Sequence, residues 1–136
     1  MDLRKLGIKP DQFDWYVAIT RGGLIPACLL AQITGQRRID TICLASYGKD
    51  NKQGTLQILD QRSYLHFTGK RVLIIDDLVD SGETMQEAVD RLRFYGPSEL
   101  KTMVIYKKTC SAFQPDYYLE EIPGDRWVNF PWEPTE

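Results

Sequence analysis

Short runs of β-branched and aromatic residues alternate with longer apolar stretches in the first third of the chain. The run Phe13–Thr20 (FDWYVAIT) is typical of a buried strand. The stretch Leu24–Thr34 is long enough for a helix, with Pro26 in its first turn and Gly35 where a helix stops. A second strand is predicted at Ile39–Ser46 (IDTICLAS). This part of the chain therefore predicts a strand, a helix and a strand.

The second half of the chain shows the same alternation. The run Arg71–Asp76 (RVLIID) has four consecutive apolar residues between its charged ends, which indicates a central parallel strand covered on both faces. A helix is predicted over Gly82–Tyr95, and further strands at Leu100–Tyr106 and Tyr117–Glu121. Strands that alternate with helices predict an α/β fold with a mainly parallel central sheet flanked by helices.

One polar segment interrupts this alternation. Residues Tyr47–Gln57 (YGKDNKQGTLQ) predict a long mobile loop or a loose hairpin, and long loops inside compact domains are often functional. No repeat, low-complexity tract or linker divides the sequence. We therefore expect a single domain over residues 1–136.

Composition and charge exclude several classes of function. The 136 residues carry 17 Lys and Arg against 19 Asp and Glu, a net charge of −2, so no basic excess favours nucleic-acid binding. No apolar run reaches the about 20 residues that span a bilayer, and the start lacks a signal-peptide pattern. We expect a cytoplasmic protein that neither inserts into membranes nor binds nucleic acid.

Cysteine and histidine usage agrees with that location. Cys28, Cys43 and Cys110 form no CxxC pair, and their odd number and wide spacing favour reduced thiols. His66 is the one histidine and has no cysteine near it in sequence, which argues against a zinc site.

The segment Val72–Thr84 (VLIIDDLVDSGET) carries the most chemical information. Its strand delivers Asp76 and Asp77 to the carboxyl end, where open α/β sheets bind ligands. Glycine and hydroxyl residues then lead into a helix, whose free N–H groups and dipole suit a phosphate. Two acids beside a phosphate nest indicate a sugar phosphate, with carboxylates accepting from vicinal hydroxyls and helping to place Mg²⁺.

Each of these features also has a purely structural interpretation. Asp80 and Glu83 have the spacing of a capping box, and acids near a helix start are favourable without a ligand. Paired acids after a strand are often merely solvated. The strand, the acid pair, the third acid and the glycine-hydroxyl turn in this order favour a ligand site.

This segment resembles the thirteen-residue phosphoribosyl diphosphate (PRPP) motif of type I phosphoribosyltransferases at every position that defines it. AITRGGLIPACLLA resembles that family's pyrophosphate loop and helix, and DTICLASYGKDN resembles the strand that enters its flexible hood loop. PDYYLEEIPGDRWVNFPWE resembles the purine-binding end of bacterial xanthine-guanine phosphoribosyltransferases. The resemblance implies the type I fold, a flexible loop at residues 47–62 and a small purine-binding hood at residues 107–136.

The resemblance also implies roles at the matching positions. Asp76 and Asp77 would hold the ribose hydroxyls, directly or through the shell of a Mg²⁺ ion, with Asp77 as the metal contact. Asp80 would face the purine N7 as general acid and base. Four residues would cradle the 5′-phosphate: Ser81, Gly82, Glu83 and Thr84. Pyrophosphate would be bound, at a loop of unusual peptide geometry, by Arg21 and Gly22. The hood loop that would close over PRPP begins at Ser46 and Tyr47.

The base would be recognised by residues near the C-terminus. Lys108 would donate to the 6-oxo group, which selects against adenine because an ammonium has only donors. Trp127 would stack on the base, and the Val128 carbonyl would accept from its edge. Lys107 is the alternative contact, and Trp127 is alternatively a core residue. We expect two further aromatic residues to pack in the core: Phe130 and Trp132.

Three functions compete at this stage. The first is purine salvage, in which PRPP and xanthine, guanine or hypoxanthine give a nucleoside 5′-monophosphate and pyrophosphate. The second is an inactive PRPP-sensing regulator, which would not need the purine contacts Asp80, Lys108 and Trp127. The third is a phosphotransfer receiver domain, which leaves the glycine-hydroxyl turn unexplained. The resemblance implies a homodimer or homotetramer. Preference among the three bases has no side-chain signature.

Overall fold

The computed structural model describes residues 1–47, 55–58 and 62–134. Within these ranges the chain forms seven strands and two α-helices. Their bounds are β1 (Trp15–Thr20), α1 (Leu24–Thr34), β2 (Ile39–Tyr47), β3 (Thr55–Ile58), β4 (Arg71–Ile75), β5 (Leu78–Val79), α2 (Glu83–Arg93), β6 (Glu99–Lys108) and β7 (Tyr117–Ile122). Two short 3₁₀ helices lie at Leu3–Leu6 and Leu65–Phe67.

The strands form one sheet in the order β3-β2-β1-β4-β6-β5, with β7 also paired to β6. Strands β1, β2, β4, β5, β6 and β7 pair in parallel, whereas β3 is antiparallel to β2. Strands β4 and β5 pair with successive parts of the long strand β6. This arrangement confirms the predicted α/β fold with a mainly parallel sheet.

Strand β4 is covered on both faces, as its apolar sequence predicted. Val72 and Ile74 belong to one core cluster, and Leu73 and Ile75 belong to the other. Helix α2 packs on the first face through Met85, Ala88, Val89 and Leu92. Helix α1 packs on the second face through Ala27, Leu30 and Ala31. Because side chains alternate across a strand, a continuous apolar run fills both clusters at once.

Glycine residues cap helix α1 at its C-terminus and helix α2 at its N-terminus. Helix α1 has the predicted bounds, and Gly35 ends it at φ 78° with its N–H donating to the Ala31 carbonyl. Helix α2 begins at Glu83, one residue later than predicted, after Gly82 at φ 93°. It ends at Arg93, two residues before the predicted Tyr95. Strand β6 continues to Lys108, two residues beyond its predicted end.

The polar segment after β2 begins as a hairpin, since Tyr47 pairs with Thr55 and Leu44 with Ile58. Residues 48–54 and 59–61 of the predicted hood loop lie outside the described residues. The hood limits and the single-domain assignment stay predictions. None of the helices in the described ranges is long and apolar enough to cross a membrane.

Candidate functional site

The carboxyl ends of three parallel strands bring the predicted site residues to one edge of the sheet. Strand β1 ends immediately before Arg21, β4 immediately before Asp76, and β6 at Lys108. Because these strands pair in parallel through β4, their ends meet on the same side. Residues separated by more than 80 positions in the sequence therefore share one edge.

The acid pair is fixed by hydrogen bonds of its backbone. The Asp76 amide donates to the Met103 carbonyl over 3.0 Å, and the Asp77 amide donates to Asp76 Oδ1 over 2.9 Å. The Asp77 carbonyl accepts from the amides of Ile105 and Tyr106 at 3.0 and 3.1 Å. The backbone that carries the two carboxylates is thus held against β6 and is not a free loop.

The electrostatics of the acid pair favour a cation or hydroxyl donors. Burial raises the pKa of Asp76 well above its ordinary value, and the neighbouring Asp77 charge raises it further. Burial also raises the pKa of Asp77. Within the part of the chain that the structure describes, neither carboxylate forms an ion pair. These are conditions that a bound cation would relieve.

Carboxylate oxygens are ligands that Mg²⁺ accepts, so the acid pair fits such an ion. No group of three or more potential metal-ligating side chains occurs among the described residues. A Mg²⁺ ion at Asp77 would therefore take most of its ligands from substrate oxygens and water, as this ion usually does.

The loop after β1 runs directly against the acid pair. A cis peptide bond joins Thr20 to Arg21, which agrees with the unusual peptide geometry expected there. A Cβ at Gly22 would lie 2.8 Å from the carboxylate carbon and both oxygens of Asp77. A Cβ at Gly23 would overlap the Ile75 carbonyl. Only glycine allows this loop to approach the acids so closely.

The turn into α2 is built by Gly82. Its φ of 93° is unfavourable for other residues, and a Cβ there would overlap the Phe113 side chain. Ser81 Oγ accepts from the Glu83 amide at 3.3 Å. The N-cap residue of α2, Gly82, has no side chain that could cap the amides that follow it. A cavity of about 160 Å³ is lined by Asp76, Asp77, Leu78, Val79, Asp80, Ser81, Gly82, Thr84 and Met85.

The capping-box interpretation of Asp80 and Glu83 is wrong. Gly82 is the N-cap of α2, and Glu83 is its first residue, so Asp80 lies outside the capping position. The side chain of Asp80 contacts Lys108 instead, with Nζ donating to Oδ2 over 3.4 Å. Helix amides and an acid therefore remain available to a ligand at this turn.

The structure brings Lys108 and not Lys107 to Asp80. Lys108 Nζ also donates to the Gly124 carbonyl over 3.2 Å, and its side chain is 11% exposed. Successive side chains of a strand point to opposite faces. Lys107 accordingly lies 3.5 Å from Glu121 Oε1, away from these contacts.

The C-terminal aromatic residues divide into exposed and packed ones. Trp127 is 80% exposed, so its interpretation as a core residue is wrong. Its indole N–H donates to Asn129 Oδ1 over 3.1 Å. Val128 packs partly against the core. Phe130 is 6% exposed and stacks on Trp132 with ring centroids 4.9 Å apart, which confirms that these two rings pack.

Two further residues at the site escaped sequence analysis. Cys110 Sγ lies 3.7 Å from Asp80 Oδ1. The Gly124 carbonyl accepts from Lys108 Nζ, and a Cβ at Gly124 would lie 2.8 Å from Cys110 Sγ. The position of Cys110, two residues after Lys108, was the available signal. Gly124 had none, because its proximity depends on the pairing of β6 with β7. For the predicted hood residues Ser46 and Tyr47, the structure gives only their backbone pairing in β2.

Comparisons with known proteins match this architecture. The family model described as the phosphoribosyl transferase domain matches residues 4–136. A purine phosphoribosyltransferase from Pyrococcus horikoshii is 28% identical with a TM-score of 0.78, over 91% of this chain and 79% of that one. A Trypanosoma cruzi hypoxanthine phosphoribosyltransferase, solved as a ternary substrate complex, is 27% identical with a TM-score of 0.70, over 86% and 67%. A Helicobacter pylori xanthine-guanine-hypoxanthine phosphoribosyltransferase, at 24% identity, TM-score 0.75 and coverage of 89% and 77%, shows the shared fold alone.

Proposed function

Because the chain belongs to the phosphoribosyltransferase family, we propose that it transfers the 5-phosphoribosyl group of PRPP to a 6-oxopurine. The acceptors are xanthine and guanine, with hypoxanthine as a third, and the products are XMP, GMP or IMP and pyrophosphate. The observation that carries the proposal is the contact between Lys108 and Asp80 beside the turn into α2. That contact joins a donor for a 6-oxo group to an acid suited to the adjacent N7.

The ribose phosphate would bind between the acid pair and α2. The carboxylates of Asp76 and Asp77 would accept from the two ribose hydroxyls, and the turn Ser81–Thr84 would donate its amides and hydroxyls to the 5′-phosphate. Mg²⁺, held at Asp77 directly or through water, would supply positive charge to the pyrophosphate oxygens. The raised pKa of Asp76 and Asp77 supports this part of the proposal.

The leaving group would lie against the loop after β1. Cleavage of the bond between C1′ and the pyrophosphate oxygen gives the ribose oxocarbenium character. The Arg21 guanidinium and the backbone at Gly22 would stabilise the departing polyanion. The approach of Gly22 to Asp77 would keep the leaving group next to the ribose hydroxyls, so that both reactants are held in line.

The base would enter between Lys108 and Trp127. Lys108 would donate to the 6-oxo group, and Asp80 would take the N7 proton as N9 attacks C1′. The exposed indole of Trp127 is available to stack on the purine, and the Val128 carbonyl would accept from its edge. An adenine amino group would meet the ammonium of Lys108 donor to donor, so adenine would be excluded.

The alternatives explain less of the site. A PRPP-sensing regulator would need neither the buried Lys108 at Asp80 nor the exposed Trp127. A receiver domain would have no use for the cavity at the glycine-hydroxyl turn. The transferase uses all three features, which is why it is the function proposed.

We further propose that the chain is a cytoplasmic homodimer or homotetramer. The three cysteines are unpaired, as is usual in a reducing compartment.

Three large apolar residues on the outer side of α1 are well exposed: Leu24 at 42%, Ile25 at 39% and Ile33 at 44%. Association through this side would bury them. Light scattering across a range of protein concentrations measures the mass, and a strictly monomeric mass contradicts this part of the proposal.

The test is nucleotide formation from PRPP and Mg²⁺ with xanthine, guanine, hypoxanthine or adenine supplied singly. We expect product with the 6-oxopurines and none with adenine. The control is Asp80→Asn, which keeps the size of the side chain but removes the proton acceptor. No product with any base from a folded wild-type chain contradicts the proposal, as does full activity of Asp80→Asn.

A further inference from the structure

The carboxylate of Asp80 is held by a different donor at each oxygen. Lys108 Nζ donates to Oδ2 over 3.4 Å, and the Cys110 thiol donates to Oδ1 over 3.7 Å. The Asp80 side chain is 63% exposed, so these two contacts, rather than burial, restrain its orientation. Both donors come from the end of β6 and the turn after it.

The absence of a side chain at Gly124 leaves room for the Cys110 thiol. A Cβ at Gly124 would lie 2.8 Å from Cys110 Sγ and 3.3 Å from its Cβ. Gly124 does not have a positive φ, so its backbone conformation does not require glycine. What a side chain at this position would disturb is the thiol. The Gly124 carbonyl also accepts from Lys108, so one residue borders both donors of Asp80.

The two donors differ in what the base would require of them. In the proposed reaction, on which this inference rests, Lys108 turns its ammonium to the 6-oxo group and its contact with Asp80 weakens. The thiol contacts the other carboxylate oxygen, Oδ1, and makes no contact with the base in this reaction. We propose that Cys110 is a positioning residue, which keeps the Asp80 carboxylate aimed at the purine N7 while Lys108 is occupied by the base.

The test compares Cys110→Ala with Cys110→Ser and a neighbouring control, Thr109→Ala. We expect kcat for guanine to fall about five-fold in Cys110→Ala, the effect of one lost hydrogen bond. The KM for PRPP and the melting temperature stay at their wild-type values, because Cys110 is exposed and does not line the cavity at the turn into α2. Cys110→Ser restores kcat, since its hydroxyl donates. Thr109→Ala, at an exposed position without a side-chain hydrogen bond among the described residues, matches the wild type.

A double-mutant cycle tests the fit of Gly124. Gly124→Ala alone displaces the thiol and lowers kcat as Cys110→Ala does, whereas in the Cys110→Ala background it adds no further loss. Equal losses in Cys110→Ala and Cys110→Ser, or wild-type kcat in Cys110→Ala, overturn the positioning role and leave the proposed function intact. A wild-type chain that forms no nucleotide overturns the proposed function and this role with it.

Discussion

The ammonium nitrogen of Lys108 lies 3.4 Å from Oδ2 of Asp80, although the two residues are 28 positions apart in sequence. The contact joins the last residue of β6 to the turn that leads into α2. It pairs a lysine that is 11% exposed with an acid that is 63% exposed, so the acid is the partner that faces solvent. A purine that binds between them would meet a fixed donor and an accessible acceptor.

Replacement of Lys108 tests its proposed role in base recognition. In Lys108→Met we expect kcat/KM for guanine to fall about ten- to hundred-fold, the effect of losing a charge-assisted hydrogen bond. The affinity for PRPP should change little, because Lys108 does not line the cavity at the turn into α2. Steady-state kinetics with either substrate varied measures both quantities.

The neighbouring lysine provides a matched control. Lys107→Met removes the same charge from the same strand, but Lys107 pairs with Glu121 on the other face, and that acid is 42% exposed and remains solvated. We expect near wild-type kinetics. A larger defect in Lys107→Met than in Lys108→Met would reverse the assignment.

Substitution of Gly22 tests the closeness of the β1 loop to the acid pair. A Cβ 2.8 Å from the Asp77 carboxylate forces that side chain to move, so Gly22→Ala should raise the KM for PRPP at least about ten-fold. The affinity for the nucleotide product, which lacks the pyrophosphate, should change less. Isothermal titration calorimetry with PRPP and with the nucleotide product measures the two affinities. An unchanged affinity for PRPP would refute the proposed contact.

The acid pair should lower the stability of the ligand-free protein at neutral pH. The pKa of Asp76 is raised in the folded state, so the unfolded chain loses this proton at a lower pH than the folded one. Stability therefore falls as the pH rises from about 4, the unfolded value, through the raised folded pKa. Asp76→Asn should reduce this decline, leaving the part due to Asp77, and stabilise the protein by about 0.5–2 kcal/mol at pH 7 while abolishing transfer.

Asp14 provides a control, because its pKa is shifted in the opposite direction and the expected change in stability therefore has the opposite sign. Hydrogen bonds from Arg71 lower the pKa of Asp14 to about 2, so its contribution to stability is present above pH 4 and is lost as the pH falls towards 2. Asp14→Asn should therefore destabilise the protein at pH 7. Thermal unfolding of both variants from pH 3 to pH 8 measures the signs, and a destabilised Asp76→Asn would contradict the account of the acid pair.

Trp127 should contribute to base affinity and not to folding. Its ring is 80% exposed, so Trp127→Ala should leave the melting temperature unchanged. Loss of stacking should raise the KM for guanine about five- to hundred-fold, and Trp127→Phe should recover most of it. Trp132→Ala is the contrast, because it removes the ring stacked on Phe130 and should lower the melting temperature.

The sequence predicted those features that local chemistry determines. Gly35 marked the end of α1, and the unbroken apolar run of β4 indicated burial on both faces. The start of α2 was predicted one residue too early because Gly82, at φ 93°, is the N-cap and not the first helical residue.

The features of the site that the sequence did not predict depend on contacts between residues that are far apart in the chain. Strand periodicity separates Lys107 from Lys108, but which of them faces Asp80 depends on how β6 lies between β4 and β7. The contact of Cys110 with Asp80 has the same origin. Two-residue strand β5 is too short to leave a periodic pattern.

The most direct test of the central claim is a competition for limiting PRPP. Equimolar xanthine, guanine, hypoxanthine and adenine are supplied with Mg²⁺, and the nucleotides formed are identified by mass spectrometry. The account predicts XMP, GMP or IMP, released with one pyrophosphate per nucleotide, and no AMP. AMP as a principal product, or pyrophosphate release without any nucleotide, would contradict it.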